Sequence, residues 1–228
     1  MLERLGLTAA DAGAAHAGLW HSILNTFGLV VDAGRSNVAS VGFSLLNISS
    51  QFVTVIGVVF STSLCARFGK KAVALAGFSI TTVFMALFVL VPAQSVRTMF
   101  LLEWMRTLAY APTIPLLWAM FADVADYSEW KTGRRTTGIV YATILFGLKT
   151  GLSLGGSAAG WLLSAFGYRA NAVETSGALQ GIRMTISIFP SILFLVVLAC
   201  LIAYPVSKSL NLRIQDELAA RRKAFAAP

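Results

Sequence analysis

Long charge-free runs separated by short charged clusters set the plan of this chain. The runs cover 12–31, 36–66, 72–96, 107–122, 136–168 with Lys149 inside it, and 184–207. A helix needs about 20 apolar residues to cross about 30 Å of hydrocarbon. Five runs reach that length if the fourth starts near Thr98 and accommodates Glu103 and Arg106, and the fifth accommodates Lys149. The first run holds His16, His21 and Asn25 with few large aliphatics, which sets it apart as a degenerate span. Backbone groups in lipid must be satisfied within their own segment, so the spans are expected to be helices rather than strands. The expected fold is an all-α membrane bundle of five helices, six if the first run also crosses. The expected domains are an uncertain first span at 1–35, degenerate or truncated, the transmembrane bundle at 36–207 and a cytoplasmic tail at 208–228.

The clusters between the runs supply a direction. Arg67, Lys70 and Lys71 follow the second run; Lys131, Arg134 and Arg135 precede the fifth; Lys208, Arg213, Arg221, Arg222 and Lys223 follow the sixth. The alternate loops offer only Arg35, Arg97, Arg169 and Arg183. Lysine and arginine concentrate on the cytoplasmic side of a membrane protein, which places the C-terminus in the cytoplasm. The tail from Leu210 to Phe225 reads as a solvated or interfacial helix. Glu3 and Asp11 lie where a cleavable signal would carry a basic start, so no signal peptide is expected.

Composition agrees. Charged residues make up 12% of the 228, about half the usual share of a soluble domain, while hydrophobic residues reach 57%. Mean hydropathy is +0.74. These values exclude a disordered chain, a soluble enzyme and a nucleic-acid-binding basic domain, because the net charge of +8 sits in inter-helix clusters. Cys65 and Cys200 fall in or beside apolar runs and read as small hydrophobes. His16 and His21, five apart, do not share a helix face, so neither a metal centre nor an enzyme active site is expected.

Lys149 is the most informative position. At about 1.5 Å per residue it lies roughly 20 Å along its helix from Arg135 and roughly 27 Å from Gly167. An ammonium at that depth requires a wet cavity or a counter-charge. It therefore reads as a pathway or cation-site residue, the alternative being a buried ion pair. On the same helix Gly147, Gly151, Gly155 and Ala159 recur every four residues, a small-residue stripe suited to close helix packing. Lys149 points away from that stripe, on a face shared with Ala142, Leu145, Phe146, Ser153, Gly156 and Gly160.

Three further features carry chemistry. Glu103 and Arg106, three apart, share a helix face near the outer end of the fourth run; they form a local ion pair or, in a sharper reading, an outer gate. The loop segment ADVADYSEWKTGRR places Asp123, Asp126 and Glu129 among Lys131, Arg134 and Arg135, a pattern suited to a charged latch made and broken as one side of the bundle closes and opens. Pro112 and Pro115 remove backbone donors and predict a kink. Just beyond them Trp118 fits either stacking on a sugar ring or anchoring the helix.

The stretch PTIPLLWAMFADVADYSEWKTGRRTTGIVYATILFGLKTGLSLGGSAAGWLLSAFGY resembles the signature region of the glycoside–pentoside–hexuronide:cation symporters, the melibiose permease-like group of the major facilitator superfamily. ARFGKK, residues 66–71, resembles the superfamily's basic loop between the second and third helices of each half. The resemblance covers about 42–219 and implies the second six-helix half of a twelve-helix transporter, with 36–207 corresponding to helices eight to twelve. It implies a role for Lys149 near the coupling-cation site and a cytoplasmic gate at Asp123, Asp126, Glu129, Lys131, Arg134 and Arg135. Trp118 falls beside positions that face the sugar. The carboxylates that hold cation and sugar in the family lie in the other half. Ile144 and Leu145 stand where melibiose permease is polar, which argues against a galactoside-type contact.

The expected function is thus the C-terminal half of a sugar:cation symporter working by alternating access in the cell inner membrane. Its partners would be a sugar or glycoside, Na⁺ or H⁺ as co-transported ion, the bilayer, and a missing N-terminal half or second chain, with no resident cofactor. Trp118, Tyr141, Thr143 and Ser153 are the expected substrate-facing residues. Two rivals are a non-transporting truncated or split-gene fragment and a carrier of lysolipid or another amphiphile.

Overall fold

The structure, a computed structural model, describes residues 38–92, 95–169 and 175–226, with side chains as far as Arg221. The run at 12–31 lies outside the described residues. Those described form helices α1 (Val38–Phe68), α2 (Lys70–Leu87, ending in a 3-10 turn over Phe88–Leu90), α3 (Val96–Tyr110) and α4 (Thr113–Thr132). There follow α5 (Thr137–Ala165), α6 (Ser176–Ile186), α7 (Ile188–Ala203) and α8 (Lys208–Ala226). Grouped by continuity, five helical segments are long and apolar enough to cross a membrane: α1, α2 with its turn, α3–α4, α5 and α6–α7.

Residues 1–53 and 54–228 form two compact units. In the first, the polar side chains of α1 bond back into their own helix: Asn47 Nδ2 donates to the Phe43 carbonyl and Ser49 Oγ to that of Leu46, each at 3.0 Å. Everything that follows concerns the second.

There α2 is the central post, packed between α3 and α7. Its Val73, Ala74 and Phe78 meet Leu116 and Met120 of α4 and Leu201 of α7 in one buried cluster. Phe78, Tyr110 and Phe194 stack ring against ring, with centroids 5.6–6.2 Å apart. Close approach depends on two glycines. A Cβ on Gly57 would stand 2.6 Å from Ala111 Cβ, and one on Gly77 would stand 2.5 Å from Thr113 Cγ2. Both glycines face the break between α3 and α4, which Pro112 creates as expected. Thr113 Oγ1 donates to the Tyr110 carbonyl at 2.6 Å, so part of the backbone capacity freed there is recovered locally.

The sixth span begins earlier than its apolar run. Thr175 caps α6 by accepting from the Ala178 N–H, and Ser176 to Arg183 are already helical. Arg183, expected in a loop, lies in α6, and Arg97 lies in the first turn of α3. A second break falls at Ser187, which is fully buried with its hydroxyl donating to the Arg183 carbonyl, three residues before Pro190.

The two largest departures lie beyond the apolar runs. ADVADYSEWK is not a loop: Asp123, Asp126, Glu129 and Lys131 occupy the last three turns of α4, which Gly133 ends in a left-handed conformation with φ 69°. Carboxylates three apart fit a helix as readily as a loop, and nothing before Gly133 breaks it. Only Arg134 and Arg135 belong to the connection. The tail is a helix as expected, mostly exposed, with one face docked. Ile214 and Leu218, four apart on α8, are 0% and 4% exposed, and α8 packs on α4. An amphipathic pair one turn apart is enough to dock a charged helix.

Candidate functional site

Two places gather the chemistry. The first is the end of the bundle where α1, α2, α4, α7 and α8 meet. Gly69, with φ 84°, is the single residue between α1 and α2. It puts Lys70 and Lys71 in the first turn of α2, where the helix dipole disfavours cations. Both are compensated from elsewhere in the fold. Lys70 Nζ reaches both oxygens of Asp123, at 2.7 and 2.8 Å, and the Asp123 carboxylate is buried. Lys71 Nζ donates to the carbonyls of Ile202 and Tyr204 at the end of α7, at 3.0 and 2.6 Å. Lys208 Nζ does the same for Ala66 near the end of α1, at 2.8 Å. Two of the three lysines therefore cap helix C-termini, where the dipole favours a cation.

The tail is tied in beside them. Trp130 Nε1 donates to Glu217 Oε2 at 2.6 Å, Arg213 Nε donates to Glu217 Oε1 at 2.7 Å, and Arg221 donates to the Trp130 carbonyl at 3.3 Å. The hydrogen bond from Trp130, then that from Arg213, holds the Glu217 carboxyl below its usual range. Burial, reinforced by the charge of Asp123, pushes the Tyr204 phenol up to about 12. Tyr204 donates a long bond of 3.5 Å to the Met120 carbonyl.

Of the six expected gate residues, the structure engages Asp123 most firmly, through Lys70 of the basic turn rather than through its own neighbours. Lys131 sits 6.0 Å over the Tyr127 ring. Arg134 and Arg135 are exposed, and Asp126 is half-buried with no ion pair among the described residues. Lys70, noted in sequence only as part of the basic turn, completes the cluster with Trp130 and Glu217, which sequence reasoning did not single out. The spacing of Arg213 and Glu217, one helical turn apart, was the legible signal for the last.

The second place is α5, which buries no residue at all. Nothing lies within 4 Å of the Cβ positions at Gly147, Gly151, Gly155, Gly156 or Gly160, so the small-residue stripe meets no helix of this unit. Lys149 is exposed and makes no ion pair with a described residue. Ser153 lies one turn from it on the same face, exposed. Thr143 donates its hydroxyl to the Ile139 carbonyl at 2.9 Å, and Tyr141 is half-buried. Trp118, on α4, is exposed with its ring edge-on to Phe121. Among the described residues no hydrogen bond or ring contact joins Trp118 to the α5 residues. Glu103 and Arg106 form the local pair: Arg106 Nε donates to Glu103 Oε2 at 2.9 Å and a second guanidinium nitrogen meets Oε1. Among the described residues no group of His, Cys, Asp and Glu could hold a metal ion.

Five apolar helical segments, interrupted at proline and serine, with a charged cluster at one end, describe a multi-pass membrane protein. The chain belongs to the MFS/sugar transport protein family, whose model matches residues 30–208. It is 31% identical over 176 residues to the Escherichia coli (strain K12) protein named "Putative glycoside/cation symporter YagG", covering 76% of this chain and 38% of that one. It is 30% identical over 182 residues to the glucuronide carrier protein homolog of the same organism, covering 79% and 40%. It is 32% identical over 168 residues to a Salmonella typhimurium protein named "Putative 2,3-dihydroxypropane-1-sulfonate exporter", covering 73% and 36%. The chain thus spans less than half the length of these relatives, which are transporters rather than enzymes.

Proposed function

We propose that this chain supplies one half of a sugar:cation symporter, the counterpart of the family's helices eight to twelve, and moves its cargo by alternating access against a second half. The carrying observation is α5. Its faces expose Phe146, Leu152, Leu154 and Trp161, which lipid can solvate, but also Lys149, which lipid cannot. A glycine stripe and an ammonium on opposite sides of one helix need protein or water on both, and the second half of the transporter would provide them. In this reading Lys149 lines the central cavity and tunes a cation site by like-charge repulsion. The Lys70–Asp123 end faces the cytoplasm, following the lysine and arginine bias, and holds this half rigid while the gate residues of α4 and its connection meet the other half. The test is cation-stimulated glycoside uptake by the complete transporter in proteoliposomes. Lys149→Ala is expected to abolish the cation dependence; unchanged stimulation would refute the assignment.

A second reading has a specific observation behind it. An ammonium with no ion pair among the described residues suits an anionic cargo as well as it suits a cation site, and two relatives are named for a glucuronide and a sulfonate. Lys149 would then pair with the cargo itself. Under that reading Lys149→Gln loses uptake of a glucuronide while sparing an uncharged glucoside; under the first it affects coupling for both.

A further inference from the structure

A cavity of about 380 Å³ opens at the charged end, beneath the start of α8. Lys70, Lys71 and Lys208 line it together with Asn211 and Gln215, and its single acidic lining residue is Asp123. That carboxylate is already matched, because both its oxygens are held by Lys70. The charge left facing the cavity is therefore positive.

The donors are not exhausted. An ammonium carries three N–H groups. Lys71 spends two on carbonyls and Lys208 spends one. Two helix N-termini add to the field. α2 starts at Lys70, after Gly69, with no side-chain cap and no acidic residue in its first turn; α8 starts at Lys208, where Ser207 Oγ already accepts from the Leu210 N–H at 3.3 Å, so α2 contributes the freer end. Backbone N–H groups at such ends favour an anion. The Gln215 amide, exposed on the cavity wall, can accept from a ligand that also carries a hydroxyl.

We propose that this cavity binds a phosphate-bearing anion, and that the hydroxyl-bearing phosphodiester headgroup of phosphatidylglycerol fits it best. Three lysines at the end of an apolar bundle suit a headgroup whose acyl chains run along the helices. Bound there, the phosphate bridges Lys71 and Lys208, and so joins the ends of α1 and α7 to α8. The site is independent of the cargo and of Lys149.

The test is native mass spectrometry of the delipidated 228-residue chain in a neutral detergent. The chain is offered dioleoyl phosphatidylglycerol or dioleoyl phosphatidylcholine at equal concentration, with and without millimolar inorganic phosphate. One phosphatidylglycerol is expected to be retained in preference to phosphatidylcholine. Lys208→Gln is expected to weaken retention about fivefold and K71Q/K208Q about 25-fold, the effect of roughly one lysine each near an anionic headgroup. Lys208→Arg keeps it. If phosphate displaces the lipid, the site serves a free phosphate; if it does not, the acyl chains contribute and the occupant is lipid. Either result supports the site. Circular dichroism checks that each variant folds, and should K71Q/K208Q fail, loss of wild-type retention between low and high salt replaces it. Equal retention of the two lipids, or retention indifferent to salt and to Lys208→Gln, overturns the proposal.

Discussion

Gly77→Ala isolates the contact on which the packing of α2 depends. The added methyl would stand 2.5 Å from Thr113 Cγ2 and 2.8 Å from the Ala109 carbonyl oxygen. Carbon pairs rest at about 3.5–4.0 Å, so α2 and the α3–α4 break must part by roughly 1 Å. Overpacking of this kind costs about 1–3 kcal/mol. Working against it, alanine is the better helix former by about 1 kcal/mol. Gly151→Ala in α5 supplies the control: the same change of propensity with nothing within 4 Å of the new methyl. In the isolated chain Gly151→Ala is therefore expected to be neutral or stabilising by up to about 1 kcal/mol, and Gly77→Ala to fall about 1–3 kcal/mol below it. Unfolding in mixed detergent–SDS micelles, followed by circular dichroism, measures both.

A partner substitution tests the cause as well as the size. Thr113→Ser removes the offending methyl but keeps the hydroxyl that donates to the Tyr110 carbonyl. G77A/T113S should recover part of the loss, and only part, because the Ala109 oxygen remains. A Gly77→Ala chain as stable as the Gly151→Ala control, or a double variant no better than the single one, would refute the reasoning.

Other perturbations read the charged end. Lys70→Met leaves Asp123 buried without its partner and is expected to destabilise the chain by about 3 kcal/mol, at the low end for broken buried pairs because Lys70 itself is one-third exposed. The exchange K70D/D123K should restore some of it in the same unfolding assay. The Glu217 carboxyl sits below its ordinary value of 4.5, so its contribution to docking α8 is present above that pH and lost as pH falls through the depressed value. Trp130 fluorescence is expected to change in that acid range, and Glu217→Gln to abolish the transition. Tyr204 works in the opposite sense: with its phenol raised from 10.0 to about 12, its contribution is complete below pH 10 and lost as pH rises toward 12. Ultraviolet titration should show one late phenol that Tyr204→Phe removes.

What was legible in the sequence follows the range of the forces involved. Charge-free length located the five apolar segments, because crossing lipid is a demand each segment meets alone. Pro112 and Pro115 announced the α3–α4 break for the same local reason. The ends misled where a local pattern had two solutions. Asp123, Asp126 and Glu129 were read as loop because they are charged, yet their spacing is helical and only Gly133 stops the helix. Ile214 and Leu218 sit among basic residues, and nothing in the tail alone says that α4 has a groove to receive them. The partners of Lys70, Lys71 and Lys208 lie 53 or more residues away, beyond any spacing rule.

The same distinction sorts the charges by function. Lys70 with Asp123, Arg106 with Glu103 and Arg213 with Glu217 are matched within the second unit, and each ties a helix to itself or to a neighbour. Matched pairs fix a shape and have little free energy left for a ligand. Lys149 is the opposite case, a cation midway along an apolar helix for which the described residues offer no ion pair and no burial. A bilayer does not tolerate that arrangement unaided. Either water and a second protein surface reach position 149 in the complete transporter, or the helix shifts until the ammonium finds the interface. Cysteine accessibility at residue 149 separates the two: a position open only to small aqueous reagents, and shielded by cargo, belongs to a central cavity, whereas one open to bulky reagents whether or not cargo is bound does not.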